Sequence, residues 1–270
     1  MGVVNITPDS FSDGGNFYAR DAAVAHALQL RDEGAELLDL GAESTRPGST
    51  PVPDDEQLRR LLPVLKELAG KISLPISIDT TSAVVARECL TAGAAIVNDI
   101  TGFHRDPDLP KVCAEFDAGV VLMHVKGTPE TMQREPQYHD LFGEIHDYLQ
   151  AGVTAAERAG IPTERMVVDP GIGFGKTFED NYRLLGALHR FWDLAAGVLV
   201  GPSRKAFTGE FNRLPPDQRQ FSTAAAVALA ALNGADVIRV HDVREMRQVV
   251  DILDRFRAIQ DAEAQGIADR

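Results

Sequence analysis

An acid, three glycines and a lysine fall within eight residues in Asp169-Pro-Gly-Ile-Gly-Phe-Gly-Lys176, the stretch of this chain best suited to meet a ligand. The apolar run ahead of it is too short for a helix, and Pro170-Gly171 stops any helical pattern. Asp169 therefore reads as the tip of a β-strand. Glycines tolerate backbone conformations that side chains forbid, so the loop can approach a ligand closely and present Phe174 and Lys176 around it. Cations are supplied by Ser203-Arg204-Lys205 and Arg239-Val240-His241. In the second of these the two basic residues flank one apolar residue on a strand, which turns both to one face, where they can grip an anion together. Two polar loops complete the set. Asn5-Ile-Thr-Pro-Asp9-Ser-Phe-Ser-Asp13-Gly-Gly is too long for an ordinary turn and reads as a lid above Asn5. Glu43-Ser-Thr45-Arg46-Pro47-Gly-Ser-Thr-Pro sets a hydroxyl beside a guanidinium, a pairing suited to carboxylate or phosphate oxygens.

Composition narrows the partners. The 270 residues are 44% hydrophobic and 25% charged, the profile of a globular protein, and a single α/β barrel would use all of them. No apolar run approaches the roughly 18 residues of a membrane span, and no basic-then-apolar leader precedes the first polar segment, so a cytoplasmic location is expected. The net charge of −13 argues against nucleic acid. An anionic substrate would then need a local positive cluster, which residues 203–205 and 239–241 provide. Cys89 and Cys113 stand apart in apolar helical patterns and read as reduced core thiols.

Short apolar runs that could position these groups occur at residues 3–5, 37–41, 75–79, 95–99, 119–124, 166–169, 197–203 and 237–241. Between them lie amphipathic helical patterns, such as Leu58, Leu61, Leu62, Leu65 and Leu68, where Pro63 predicts a kink, and Met246, Val249, Val250, Leu253 and Phe256. Gly34-Ala35, Gly93-Ala94 and Gly234-Ala235 each end a helix and introduce a strand. With no Pro/Ser-rich linker, the pattern predicts one domain over residues 1–270 with a loose tail after about residue 260. Eight buried strands alternating with helices and joined by right-handed crossovers give an α/β fold, a (β/α)8 TIM barrel. An open doubly wound sheet is the competing fold. Polar residues close every strand: Asn5, Asp39, Asp79, Asn98-Asp99, His124, Asp169, Ser203-Arg204-Lys205 and Arg239-His241. In a barrel those tips converge on the mouth where active sites are built.

The strings VNITPDSFSDGG, ESTRPGS, SIDT, VNDI, VVDPGIGFGK, SRKAF and RVHD, in that order over nearly the whole chain, resemble the dihydropteroate synthase family of pterin-binding barrels. The resemblance implies a dimeric barrel that condenses 6-hydroxymethyl-7,8-dihydropterin pyrophosphate with 4-aminobenzoate, releasing pyrophosphate and 7,8-dihydropteroate, with Mg2+ accompanying the diphosphate. It implies a pterin pocket of Asp79, Asn98, Ile100, Met123, Asp169, Gly201 and Lys205. Asn5, Arg239 and His241 would take the pyrophosphate, with Asn5 a magnesium ligand. Thr45, Pro47, Phe174, Ser203 and Lys205 would take 4-aminobenzoate. The chemistry of the residues agrees. A carboxylate at Asp169 matches the adjacent donors of an aminopyrimidine edge, and Lys205 can donate to a ring carbonyl. A dissociative route needs no nucleophile. Pyrophosphate departs first, and the pterin-methyl cation is stabilised by Asp13 and Asp79 beneath loops ordered by Arg46.

Two departures from the family pattern stand out. The chain starts directly on its first strand at Met1-Gly2-Val3, where relatives commonly carry an upstream stretch that plugs the barrel, and Phe221-Ser222 replaces a common glycine before a helix that would contribute to the dimer face. A methyltetrahydrofolate corrinoid methyltransferase-like barrel would share Asp79, Asn98 and Asp169 but needs no diphosphate clamp. A catalytically silent barrel should lack Asn5, Asp169, Lys205 or Arg239, and all four are present.

Overall fold

The computed structural model describes residues 1–6, 15–43, 51–127 and 136–264. Eight strands run β1 (Gly2–Asn5), β2 (Leu38–Gly41), β3 (Ile76–Asp79), β4 (Ile96–Asp99), β5 (Gly119–Met123), β6 (Met166–Asp169), β7 (Gly197–Val200) and β8 (Val237–Ile238), each hydrogen-bonded to the next and all parallel. Gly2 pairs in parallel with Val240, and Val3 N–H donates to the Val240 carbonyl at 3.1 Å, so the sheet closes on itself. Helices α1 (Gly15–Asp32), α2 (Asp54–Ala69), α3 (Ala83–Thr91), α4 (Leu109–Glu115), α5 (Leu141–Ala159), α6 (Phe178–Leu185), α7 (Gln220–Leu232) and α8 (Val243–Ala264) alternate with the strands. The result is the expected (β/α)8 barrel.

Burial explains the wrapping. Leu38, Leu40, Ile76 and Ile78 on the outer faces of β2 and β3 pack in one cluster with Leu61, Val64, Leu65 and Leu68 of α2, all fully buried or nearly so. Each such side chain contributes roughly 1.5–3 kcal/mol. The helix runs unbroken through Pro63, and its first turn carries Asp54, Asp55 and Glu56, which suit the positive end of the helix dipole. Gly34, Gly93 and Gly234 adopt φ of 99°, 107° and 113°. After each one the following alanine N–H returns to a carbonyl five residues back, at 3.0 Å in all three cases. Repetition of this one left-handed stop sets each following strand at the same entry to the barrel.

Three strand ends differ from expectation. Strand β5 stops at Met123, β7 at Val200, shortly before Pro202, which has no N–H to offer a ladder, and β8 at Ile238. Arg239 N–H still donates to the Val200 carbonyl at 2.9 Å, so the residues beyond β8 remain fixed to β7. Asp39 is also not a strand tip, since β2 continues to Gly41. The tail expected after about residue 260 remains helical to Ala264 and otherwise lies outside the described residues, as do most of the first loop and residues 44–50.

Candidate active site

Register builds the floor of the mouth. Asn5 pairs with Gly41, Gly41 with Asp79 and Asp79 with Asn98, forming one row across β1 to β4. Two residues lower on the same face, Val3 pairs with Asp39 and Asp39 with Ser77. Period two therefore places an acid directly under a polar row. Asp39 is 0% exposed, and one of its oxygens, Oδ2, accepts from Arg239 Nε at 2.7 Å and from Asn98 Nδ2 at 3.2 Å. Arg239 Nη2 also reaches Asp79 Oδ2 at 3.3 Å. Burial works against the Arg239 charge, but Asp39 and Asp79 outweigh it and raise its pKa. Asp79 is pushed up to about 7, first by burial and then by the Asp39 charge, with Arg239 opposing. Because Asn98 donates its amide hydrogen to Asp39, its carbonyl oxygen is left to accept from a ligand.

Asp39 is the residue that reading the sequence for site contacts missed. It meets its partners from one layer below the mouth and fixes the orientation of both Arg239 and Asn98. The signal was a single acid inside an otherwise apolar strand, two residues before a glycine. Gly41 leaves a gap in the upper row, where an added Cβ would lie 3.8 Å from Asn5 Oδ1 and 3.9 Å from Asp79 Oδ2.

The second wall is the loop after β6. Asp169 pairs in register with the buried Met123 on β5, and its Oδ1 accepts from Gly171 N–H at 2.7 Å. Burial raises the Asp169 pKa, while Lys205, the Gly171 N–H, Lys176 and Arg239 lower it. Gly171, Gly173 and Gly175 have φ of 73°, 81° and 67°, which is the permissiveness the motif required. At Gly171 an added Cβ would come within 1.9 Å of the His124 carbonyl, so no other residue fits. Lys205 Nζ donates to the Ile172 carbonyl and sits 4.2 Å from the Phe174 ring centroid. Burial pulls its ammonium down to about 7, with Asp169 raising it and Arg239 lowering it further.

Not every strand-end residue serves the mouth. Asp99 accepts from Thr101 N–H at 2.8 Å and Phe103 N–H at 2.7 Å and shapes the turn behind β4. Arg204, at φ 59°, donates through Nε to Asp242 at 3.0 Å, so the positive cluster is Lys205 with Arg239 rather than all of residues 203–205. Lys176 is buried instead of presented to a ligand. Ser203 Oγ is 3.0 Å from His241 Nδ1 and accepts from the His241 N–H at 3.2 Å, which holds the histidine at the rim. Gly201 lies against Arg239, and Ile100 follows β4 half-buried. Asp13, Thr45, Arg46 and Pro47 lie outside the described residues.

The model of the family described as pterin binding enzyme matches residues 1–241. The dihydropteroate synthase of Synechocystis is 44% identical over 255 residues, covering 94% of this chain and 88% of that protein. The chain belongs to the dihydropteroate synthase family. Among solved dihydropteroate synthases, the Xanthomonas albilineans enzyme with 4-aminobenzoic acid superposes with a TM-score of 0.87 at 46% identity, over 96% of this chain and 92% of that one. The Yersinia pestis enzyme in a sulfonamide drug complex gives 0.89 at 40% identity, over 96% and 93%. Dihydropteroate synthases are transferases, and the barrel mouth described above is where this chain has the groups for that chemistry. Among the described residues no cluster of three or more His, Cys, Asp or Glu could hold a metal ion. Asn5 and Asp79, both flanking Gly41, offer hard oxygens of the kind magnesium accepts while keeping most of its waters.

Proposed function

We propose that this protein condenses 6-hydroxymethyl-7,8-dihydropterin pyrophosphate with 4-aminobenzoate, giving 7,8-dihydropteroate and pyrophosphate. The observation that carries this reading is the meeting of Asp169, Asn98, Asp79, Lys205 and Arg239 in one barrel mouth. The carboxylate of Asp169 accepts from the pterin's amino-pyrimidine edge, Asn98 Oδ1 accepts a ring N–H, and Lys205 donates to the ring carbonyl. Ile100, Met123 and Gly201 line the same pocket. Arg239 and His241 grip the diphosphate, and Asn5 would hold a magnesium ion arriving with it. When bound, that ion neutralises charge on the leaving group.

The bond from the pterin methylene to the diphosphate oxygen breaks first, its electron pair leaving with the pyrophosphate. Asp79 and Asp13 stabilise the carbon cation by charge. The aniline nitrogen of 4-aminobenzoate, placed against Phe174 with its carboxylate toward Ser203, Thr45 and Pro47, then forms the new C–N bond and releases a proton. Arg46 orders the loops above. The test is direct: incubate protein, pterin pyrophosphate, 4-aminobenzoate and magnesium, then look for the pterin–aniline product together with released pyrophosphate. Pyrophosphate without that product would reduce the site to a hydrolase.

Lys205 gives this reading a pH signature. Its folded pKa of about 7 lies below the ordinary lysine value of 10.5. Between those values the unfolded chain holds the extra proton, so stability rises with pH across that window, and the cost of the buried charge is felt in full below about 7. A pterin carbonyl favours the charged amine, so ligand binding at pH 8 should take up a proton. Calorimetry in two buffers of different ionisation heat reads this uptake. Lys205→Arg, charged in both states, should abolish it.

The reading includes a homodimer. Phe221, 87% exposed, Leu229 and Leu232 form one stripe on α7, and Ile252, Phe256 and Ile259 form another on the adjoining α8. Apolar stripes on two packed helices suit a second copy of the chain. Sedimentation velocity should give twice the chain mass, and Phe256→Glu should return it to a single chain. A cytoplasmic home fits the buried free thiols of Cys89 and Cys113, and no helix among the described residues is long and apolar enough to cross a membrane.

A further inference from the structure

We propose that Lys176 is a positioning residue that sets the aminobenzoate wall by tying the loop after β6 to the end of β5. This rests on the reaction proposed above. Lys176 is 2% exposed, and its Nζ lies 2.8 Å from His124 Nδ1 and donates to the Phe174 carbonyl at 2.9 Å. Buried lysines are rare and are held by a purpose-built set of partners. Here burial takes the amine well below its usual range, and His124 is pulled down to about 2, first by burial and then by the Lys176 charge. Two basic groups cannot form an ion pair, so what holds them together is the Nζ···Nδ1 hydrogen bond.

The same side of the loop is fastened twice more. Tyr138 Oη donates to the Gly175 carbonyl at 2.7 Å, and Gly175 packs so tightly on Lys126 that an added Cβ would come within 2.3 Å of its carbonyl. On the opposite side the Phe174 ring faces the Lys205 ammonium, 4.2 Å from its centroid. Asp169 has backbone anchors of its own, since its carbonyl accepts from His124 N–H at 2.9 Å and its side chain from Gly171 N–H, and Lys176 acts on it only through charge. Loosening Lys176 should thus move Phe174 while leaving Asp169 in place, separating the two substrates.

Lys176→Met keeps the length and apolar stem of the side chain and removes both hydrogen bonds. We expect KM for 4-aminobenzoate to rise about tenfold, while the affinity for a pterin alone, measured by calorimetry, changes less than threefold. Tyr138→Phe, which loses a single oxygen, should raise the same KM by a smaller factor and covers the case in which Lys176→Met does not fold. Lys176→Met or Tyr138→Phe protein with an unchanged KM for 4-aminobenzoate would overturn the proposal. So would equal losses for both substrates, which mark a role in folding only. A wild-type enzyme that makes no pterin–aniline product would instead overturn the reaction itself.

Discussion

Asp169→Asn should lower kcat/KM for the pterin pyrophosphate by about 10²–10³-fold, with little change in the fold. The carboxylate sits at a strand tip with one oxygen committed to Gly171 N–H, which leaves the other for a ligand, in surroundings where burial raises its pKa and three cations oppose that rise. An amide keeps the internal bond, because its oxygen can face Gly171, and so presents an NH2 group toward a ligand edge made of donors. A lost charge-assisted bond together with an unpaired buried donor costs about 3–4 kcal/mol, which is the stated range of rates. Steady-state kinetics and direct pterin binding should fall in parallel. Unchanged pterin affinity would mean the aminopyrimidine edge is read elsewhere.

Asp39→Asn should cost about 3–5 kcal/mol of stability and also reduce kcat/KM for the pterin pyrophosphate about 10²-fold, although this residue touches no substrate. One fully buried oxygen serves Arg239 and Asn98 together, and removing its charge takes from a largely buried guanidinium its strongest counter-charge. Urea denaturation reads the first effect and kinetics on the folded fraction the second. A stability loss with unaltered kinetics would show that Asp39 supports the barrel without aiming its side chains.

The barrel was legible because its signals are local and periodic. Apolar runs of strand length, helices with a three-to-four spacing and a glycine-alanine joint repeated at Gly34, Gly93 and Gly234 all agree. The contacts between strands were less so. Asp39 and Asp79 read alike as acids near strand ends, and only register, in which Gly41 is the true tip of β2, separates the supporting acid from the one at the mouth. Arg204 and Lys205 are neighbours in sequence, yet the left-handed backbone at Arg204 sends its guanidinium to Asp242 and leaves Lys205 facing the site. Nothing in composition announces that turn. Lys176 likewise looks like a ligand-facing cation until the close approach of Gly171 to His124 shows the loop folded back over it.

The Asn5–Gly41–Asp79–Asn98 row hangs on hydrogen-bonded backbone, so the spacing of its groups follows the pitch of the sheet. A flat heterocyclic inhibitor shaped to that row would find its recess already formed and lose little affinity to rearrangement. Evolving away from such a compound would be difficult, since Asn98 and Asp79 each brace a neighbour as well as face the recess. A molecule leaning on the outer loops would face no such constraint.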